Sequence, residues 1–384
     1  MNESTTLRRT TTVIGAPRTV WAGAGLIVLG IALLAVAPAV MTPFGLGQMG
    51  RFVCYAIVAV GIGIAWGRGG MLTLGQGAFF GIGAYVMAMH MLLADGEQDD
   101  SGIPSFMSIA GATDVPGWWE PFRSPVVTLV AVVALPALVA FALGFSIFKR
   151  RIKGAYFAIL NQALVAATVV LLVGQQTTLG GSDGLSGFNY FMGYDLEDPA
   201  NKRMLFYLSS GTLLAMLAIA YWLMRSRYGE LLVATRDAEE RVRFLGYDPA
   251  LVKTAAYVIA AAMAGIAGAL FVPIVGIISP TEIGVVPSII FVIGVAVGGR
   301  TSLFGPALGA LAMAWMESSL AQVFPSGWSY IQGLLLVLVI ALLPGGLASV
   351  GGVFRRRKAE ANAADATATP AVQDTEKEKV NVHD

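Results

Sequence analysis

Residues 225–253 read RSRYGELLVATRDAEERVRFLGYDPALVK, a charged, helix-favouring island with long apolar stretches on either side. It sets Arg225, Arg227, Arg236, Arg241, Arg243 and Lys253 beside Glu230, Asp237, Glu239, Glu240 and Asp248. The flanking stretches, 204–224 and 253–278, each have the roughly 20 apolar residues with which a helix crosses a hydrocarbon layer of about 30 Å. A segment this charged belongs in water between two such crossings. The same alternation runs through the whole chain. Of its 384 residues 56% are hydrophobic and 13% charged, with a mean hydropathy of +0.71, whereas a soluble domain carries about 25% charged residues. The fold class that follows is an all-α polytopic membrane protein.

Apolar stretches place ten spans, at 19–40, 50–66, 71–93, 125–148, 155–174, 204–224, 253–278, 285–299, 302–322 and 328–349. The seventh is the longest and is a candidate to tilt or break. Lys and Arg concentrate on one side of these spans: Arg8, Arg9 and Arg18, Arg68, Lys149 to Lys153, the island, Arg300, and Arg355 to Lys358. The loops at 94–124 and 175–203 are acidic and fall on the other side. Positive charge is retained on the cytoplasmic face, so both termini and the island are expected in the cytoplasm. Three regions result: a cytoplasmic segment 1–18, a transmembrane domain 19–352 with the island inside it, and an Ala-, Thr-, Glu- and Lys-rich tail 353–384 without apolar periodicity. The alternative for the first span is a cleaved leader, since AVA and APA occur near 35–39. Its apolar run is longer than a usual leader's.

Absences narrow the function. The chain contains no G-x-x-x-x-G-K-[ST] phosphate loop, so any ATP-driven step needs a separate ATPase. Two histidines, His90 and His383, and one cysteine, Cys54, supply neither a metal cluster nor a disulfide. No G-x-S-x-G nucleophile motif is present. A membrane enzyme is disfavoured, and a net charge of +1 gives no reason to expect a nucleic-acid partner. Glu282 and Glu317 fall near span ends rather than mid-membrane, which weakens an ion-coupled carrier. The island itself, with Tyr228, Leu231, Leu232 and Val233 among charges and Gly246 and Pro249 as breakers, has the composition of a short helix that docks into a partner's groove. A solvated helix lying at the lipid surface is the alternative.

Four stretches together resemble a known family: RFVCYAIVAVGIGIAWGRGGMLTLGQGAFFGIGAY at 51–85, RIKGAYFAILNQAL at 151–164, GQQTTLGGSDGL at 174–185, and the island with KTAAYVIAAAMAGIAGAL at 253–270. The order of these motifs, from Arg51 to Gly352, resembles the permeases of high-affinity branched-chain amino-acid ABC importers, and within them the second-permease branch that serves urea import. The L-x-L-G-x-x-A-F-F-x-x-G-A-Y core from Leu72 to Tyr85 is shared by both substrate branches, while F-x-I-L-x-Q-A-L and G-Q-Q tilt the resemblance to urea. It implies a permease in the bacterial cytoplasmic membrane that works with a homologous sister permease, two ATP-binding cassette ATPases and an extracytoplasmic binding protein. ATP and Mg would be bound by the ATPases, with no cofactor in this chain. Tyr228, Gly229, Glu230, Arg236, Asp237, Glu239, Glu240 and Arg241 would then form the ATPase-coupling segment.

Urea is uncharged and asks for neutral donors and acceptors along its path. Gln76, Gln162, Gln175 and Gln176 are candidates, with Thr73 and Tyr156 as weaker ones and Asn161 as a further neutral amide. Pore lining, interhelical hydrogen bonding and structure at a bend compete for each. Gln162 leads because it sits inside the fifth span with Ala158 and Ala166 on its face. Branched-chain amino acids are the rival substrate, since a zwitterion wants charge partners. A self-sufficient channel or ion-coupled carrier stays open as a reading from another class. The GGSDG turn at 180–184 is expected to be a glycine turn, and Trp118 and Trp119 to anchor at the membrane interface.

Overall fold

The structure is a computed structural model describing residues 25–98, 103–109, 114–152, 154–323 and single positions between 327 and 337. The segments 1–18 and 353–384 and most of the tenth expected span lie outside the described residues. The helices that carry the architecture are α1 Gly25–Val40, α2 Pro43–Arg68, α3 Gln76–Gln98, α4 Pro125–Lys149, α5 Ala155–Val173, α6 Pro199–Arg225, α7 Arg227–Asp237, α8 Glu239–Phe244, α9 Pro249–Val275, α10 Val285–Gly298 and α11 Gly305–Val323.

One starting device recurs. Thr42, Asp198 and Asp248 each precede a proline, adopt extended backbone, and accept a hydrogen bond from an N–H of the first turn, at Gly45, Ala200 and Ala250 respectively. Proline disfavours the helical conformation in the residue before it and has no N–H to leave unpaired at the first helical position. The polar side chain then satisfies an orphan donor.

Six helices, α2 to α6 and α9, are long and apolar enough to cross a membrane. They match expected spans two to seven. The first and eighth appear as the shorter apolar helices Gly25–Val40 and Val285–Gly298, and the ninth as α11. The seventh is unbroken, with Pro273 in its last turn.

Three spans make the centre. The apolar windows of α3, α2 and α9 are 89%, 83% and 67% buried, against 22%, 28% and 39% for α4, α5 and α6. Small residues allow this density. A Cβ on Gly268 of α9 would stand 2.0 Å from the Phe80 carbonyl oxygen of α3, and one on Gly83 would stand 2.1 Å from that of Gly265. The two backbones therefore touch, as small residues permit inside membranes. A second such crossing, between Gly294 and Gly298 of α10 and Gly305 and Gly309 of α11, joins that pair.

At the end of the bundle away from α7 and α8, β1 Leu185–Ser186 pairs antiparallel with β4 Ile277–Ile278, and β2 Tyr190–Phe191 with β3 Tyr194–Asp195. Gly180, Gly181 and Gly184 of the GGSDG turn all have positive φ, as the glycine-turn reading requires. Asp95 of α3, expected in an acidic loop, is buried and accepts the N–H groups of Asn189 and Tyr190 at 2.7 and 3.1 Å. Trp119 also departs from expectation. It is fully buried, with Trp118 edge-on and Phe106 tilted against it, so only Trp118 remains exposed to anchor at an interface.

Candidate functional site

Thr73 and Gln76 sit where the chain enters α3 after the break that follows α2, and both are buried. The segment around them is pressed against three other helices. A Cβ on Gly75 would lie 2.8 Å from Oδ1 of Asn161 on α5, and the Gly77 N–H donates to Oγ of Ser288 on α10 at 3.2 Å. Asn161 in turn accepts the Tyr257 hydroxyl of α9 at 2.5 Å and donates to the Phe157 carbonyl at 2.8 Å. Phe79 and Phe157 stand edge-on to the Tyr257 ring. A polar knot thus lies inside an aromatic wall.

Within it, Oγ1 of Thr73 and both amide atoms of Gln76 are buried without a hydrogen-bond partner among the described residues, and the same holds for both amide atoms of Gln162. Each such group costs about 1–3 kcal/mol when buried unpaired. Three of the six expected pathway residues therefore have unspent hydrogen-bonding capacity in the interior. The other three do not join them. Tyr156 is exposed at the first turn of α5, while Gln175 and Gln176 are exposed beyond its last turn, roughly 28 Å away by helix rise. Gln175 accepts the Thr178 hydroxyl at 3.0 Å, and Gln176 lies against Gly181. The pairing of Asn161 with Tyr257 was beyond the reach of sequence reading, because the partners are 96 residues apart and neither type signals the other.

The island folds as two helices, α7 and α8, broken at Ala238. Ser226 caps α7 by accepting the Gly229 N–H at 3.3 Å. Gly229, Leu232 and Thr235 form its buried face. The Tyr228 hydroxyl donates to the Val252 carbonyl of α9 at 2.8 Å, and burial pushes this phenol up. Arg236 reaches the end of α2, donating to the Gly67 carbonyl at 2.8 Å, and also donates to Asp237 at 2.7 Å. That bond raises the pKa of Arg236 and lowers that of Asp237. Glu239 binds Lys253 of α9 at 2.8 Å with both side chains largely buried, and Arg243 bridges Glu239 and Glu240 at 3.6 Å. Tyr228, Gly229, Arg236 and Glu239 thus tie the island to the bundle. Glu230, Asp237, Glu240 and Arg241 are exposed. The result is a charged ledge hydrogen-bonded to α2 and α9.

Residues 46–341 match the family model described as the permease component of branched-chain amino acid transport systems. The high-affinity branched-chain amino acid transport system permease protein LivM of Escherichia coli (strain K12) is 27% identical over 84% of this chain and 74% of its own length. LivH of the same strain, another permease protein of such a system, is 25% identical over 76% of the chain and 90% of its own length. BraD of Pseudomonas aeruginosa is 24% identical over 76% and 91%. No solved structure matches the chain.

Proposed function

The chain belongs to the family of permease components of branched-chain amino acid transport systems, and from that premise we propose that it is the non-catalytic permease subunit of an ATP-driven, binding-protein-dependent importer. The observation that carries the ATP-driven reading is the ledge. A mobile loop could not pass force to the spans, whereas α7 is bound to α2 through Arg236 and Gly67 and to α9 through Tyr228 and Val252. In this reading the ledge faces the cytoplasm and meets an ATPase, the opposite end receives a binding protein, and a sister permease completes the membrane unit. ATP and Mg reside in the ATPases.

Branched-chain amino acids are the first substrate reading, since LivM, LivH and BraD are named for transporting them. Urea is the second, and a specific observation favours it: the unpaired neutral groups of Thr73, Gln76 and Gln162 suit a neutral solute.

The deciding experiment reconstitutes the permease pair, ATPases and binding protein in proteoliposomes and follows labelled leucine and urea in parallel. ATP-dependent uptake of leucine alone supports the first reading, and of urea alone the second. Uptake without ATPases would instead make the chain a channel or carrier.

A further inference from the structure

Two cavities flank Arg51 toward the end of the bundle opposite the ledge. The larger, about 460 Å³, opens between the start of α2, the start of α6 and the end of α9. The smaller, about 200 Å³, lies between α2 and α11, with Gln48, Phe52, Tyr55, Ala314, Glu317 and Ser318 on its walls. Arg51 and Gln48 line both. Arg51 lies about 12 Å along α2 from Pro43 by helix rise, at the start of the expected span 50–66, with its side chain 39% exposed.

Arg51 has fewer partners than its chemistry allows. Its Nε donates to the Tyr55 hydroxyl at 2.9 Å, while Nη2 is 3.9 Å from a Glu282 carboxylate oxygen. That separation is attractive but too long for a direct hydrogen bond. A guanidinium has five N–H groups in a fork that matches a carboxylate. Glu317, on the facing wall, feels both Arg51 and Glu282 electrostatically yet makes no hydrogen bond or ion pair among the described residues. Cation and carboxylate therefore face a small space without closing on each other. Tyr55, on its wall, packs with Phe80, Phe271 and Phe291, all buried.

We propose that Arg51 and Glu317 are the two poles of a solute-recognition site that takes a branched-chain α-amino acid as its zwitterion. The solute carboxylate sits on the N–H groups of Arg51 that Tyr55 does not use, and its ammonium on Glu317. The aliphatic side chain lies against Phe52 and Ala314. The larger cavity is the approach. A cation and a carboxylate on the walls of one small cavity, beside Phe52 and Ala314, suit this solute better than a neutral one, and the assignment rests on the first substrate reading above.

Ser318→Cys places a thiol on the wall of the smaller cavity, and Cys54 is fully buried, so maleimide modification of the assembled importer, with cysteine-free partners, reports on the introduced thiol. Saturating leucine slows that modification about threefold or more, urea does not, and adding Glu317→Gln removes the protection. Arg51→Gln and Glu317→Gln each lower ATP-driven leucine uptake about tenfold or more while ATP hydrolysis stimulated by loaded binding protein stays within about twofold. A variant that merely fails to fold loses both activities, and the protection assay in the otherwise native chain then decides. Protection by urea alone, no protection by leucine, or full leucine uptake in both variants overturns the proposal. Failure of the transport reading is a different result, in which the unmodified importer takes up neither solute.

Discussion

Asp248 joins three pieces of the molecule through one carboxylate. It accepts the Ala250 N–H at 2.9 Å, holds Lys149 of α4 at 3.2 Å, and starts α9 from the end of the ledge. The hydrogen bond from Ala250, followed by Lys149, holds its pKa below the usual carboxylate value. A depressed folded pKa means that the contribution is complete above the unfolded value of about 3.9 and is lost as pH falls through the folded value. Asp248→Ala is therefore expected to cost about 1 kcal/mol near neutral pH, with the gap to wild type closing in strong acid. Thermal melts in detergent at both pH values check this, and equal melting at pH 7 counts against it. Tyr257→Phe tests a buried bond in the same way. It leaves Oδ1 of Asn161 without its donor and should cost about 1–3 kcal/mol, seen as a lower melting temperature. The Asp-Pro step before an apolar run is a helix-start signal, yet reading hydropathy alone makes Pro249 a breaker and starts the span at 253 instead of 249. The Tyr257–Asn161 bond is not legible in the sequence, since packing alone brings those residues together.

Among the helices, glycine has opposite values at different places. Gly268→Ala puts a methyl group 2.0 Å from the Phe80 carbonyl oxygen, so α3 and α9 must separate at the centre of the bundle, at a cost of about 1–3 kcal/mol or more. Gly211, inside α6, has nothing within 4 Å of the added carbon, and Gly211→Ala should gain about 0.5–1 kcal/mol. Melting temperatures of the two variants should move in opposite directions, and a shared direction would refute this account of the crossing. The ledge supplies another test. Arg236→Gln removes the charge-assisted bond to the Gly67 carbonyl and is expected to lower uptake per ATP hydrolysed while the assembled complex persists. Unchanged uptake at normal expression would remove the coupling role. Sequence reading located the island because its charge density contrasts with everything around it. Its division at Ala238 was hidden, as no Pro or Gly marks that break.

Across the whole molecule, burial separates protein-facing helices from outward-facing ones. Apolar residues cover the exposed sides of α4, α5 and α6, among them Leu138, Ile159 and Trp222, while α2 and α3, of similar composition, are enclosed. Bromine-labelled lipid should quench Trp222, which is 70% exposed, in a single-tryptophan variant, and leave fully buried Trp119 bright. An unquenched Trp222 would mean that another subunit covers this face of α6. The expected pathway residues divide at this scale too. Thr73, Gln76 and Gln162 turn inward, whereas Tyr156, Gln175 and Gln176 lie at the two ends of α5. All six are polar residues in or beside apolar runs, and residue type alone could not sort them.

The sequence by itself determined that the chain is a set of apolar helices and which connecting segment is charged. These follow from local chemistry: the length of an apolar run and the density of charge. Which spans occupy the centre and which face outward was decided only by the tertiary structure, because apolar side chains satisfy both lipid and protein neighbours. Only there do Gly83, Gly265 and Gly268 become a crossing, Asn161 a partner of Tyr257, and Arg51 and Glu317 opposite walls of one cavity. Each of these depends on residues far apart in the chain, and pairings of that kind leave no mark on a single sequence.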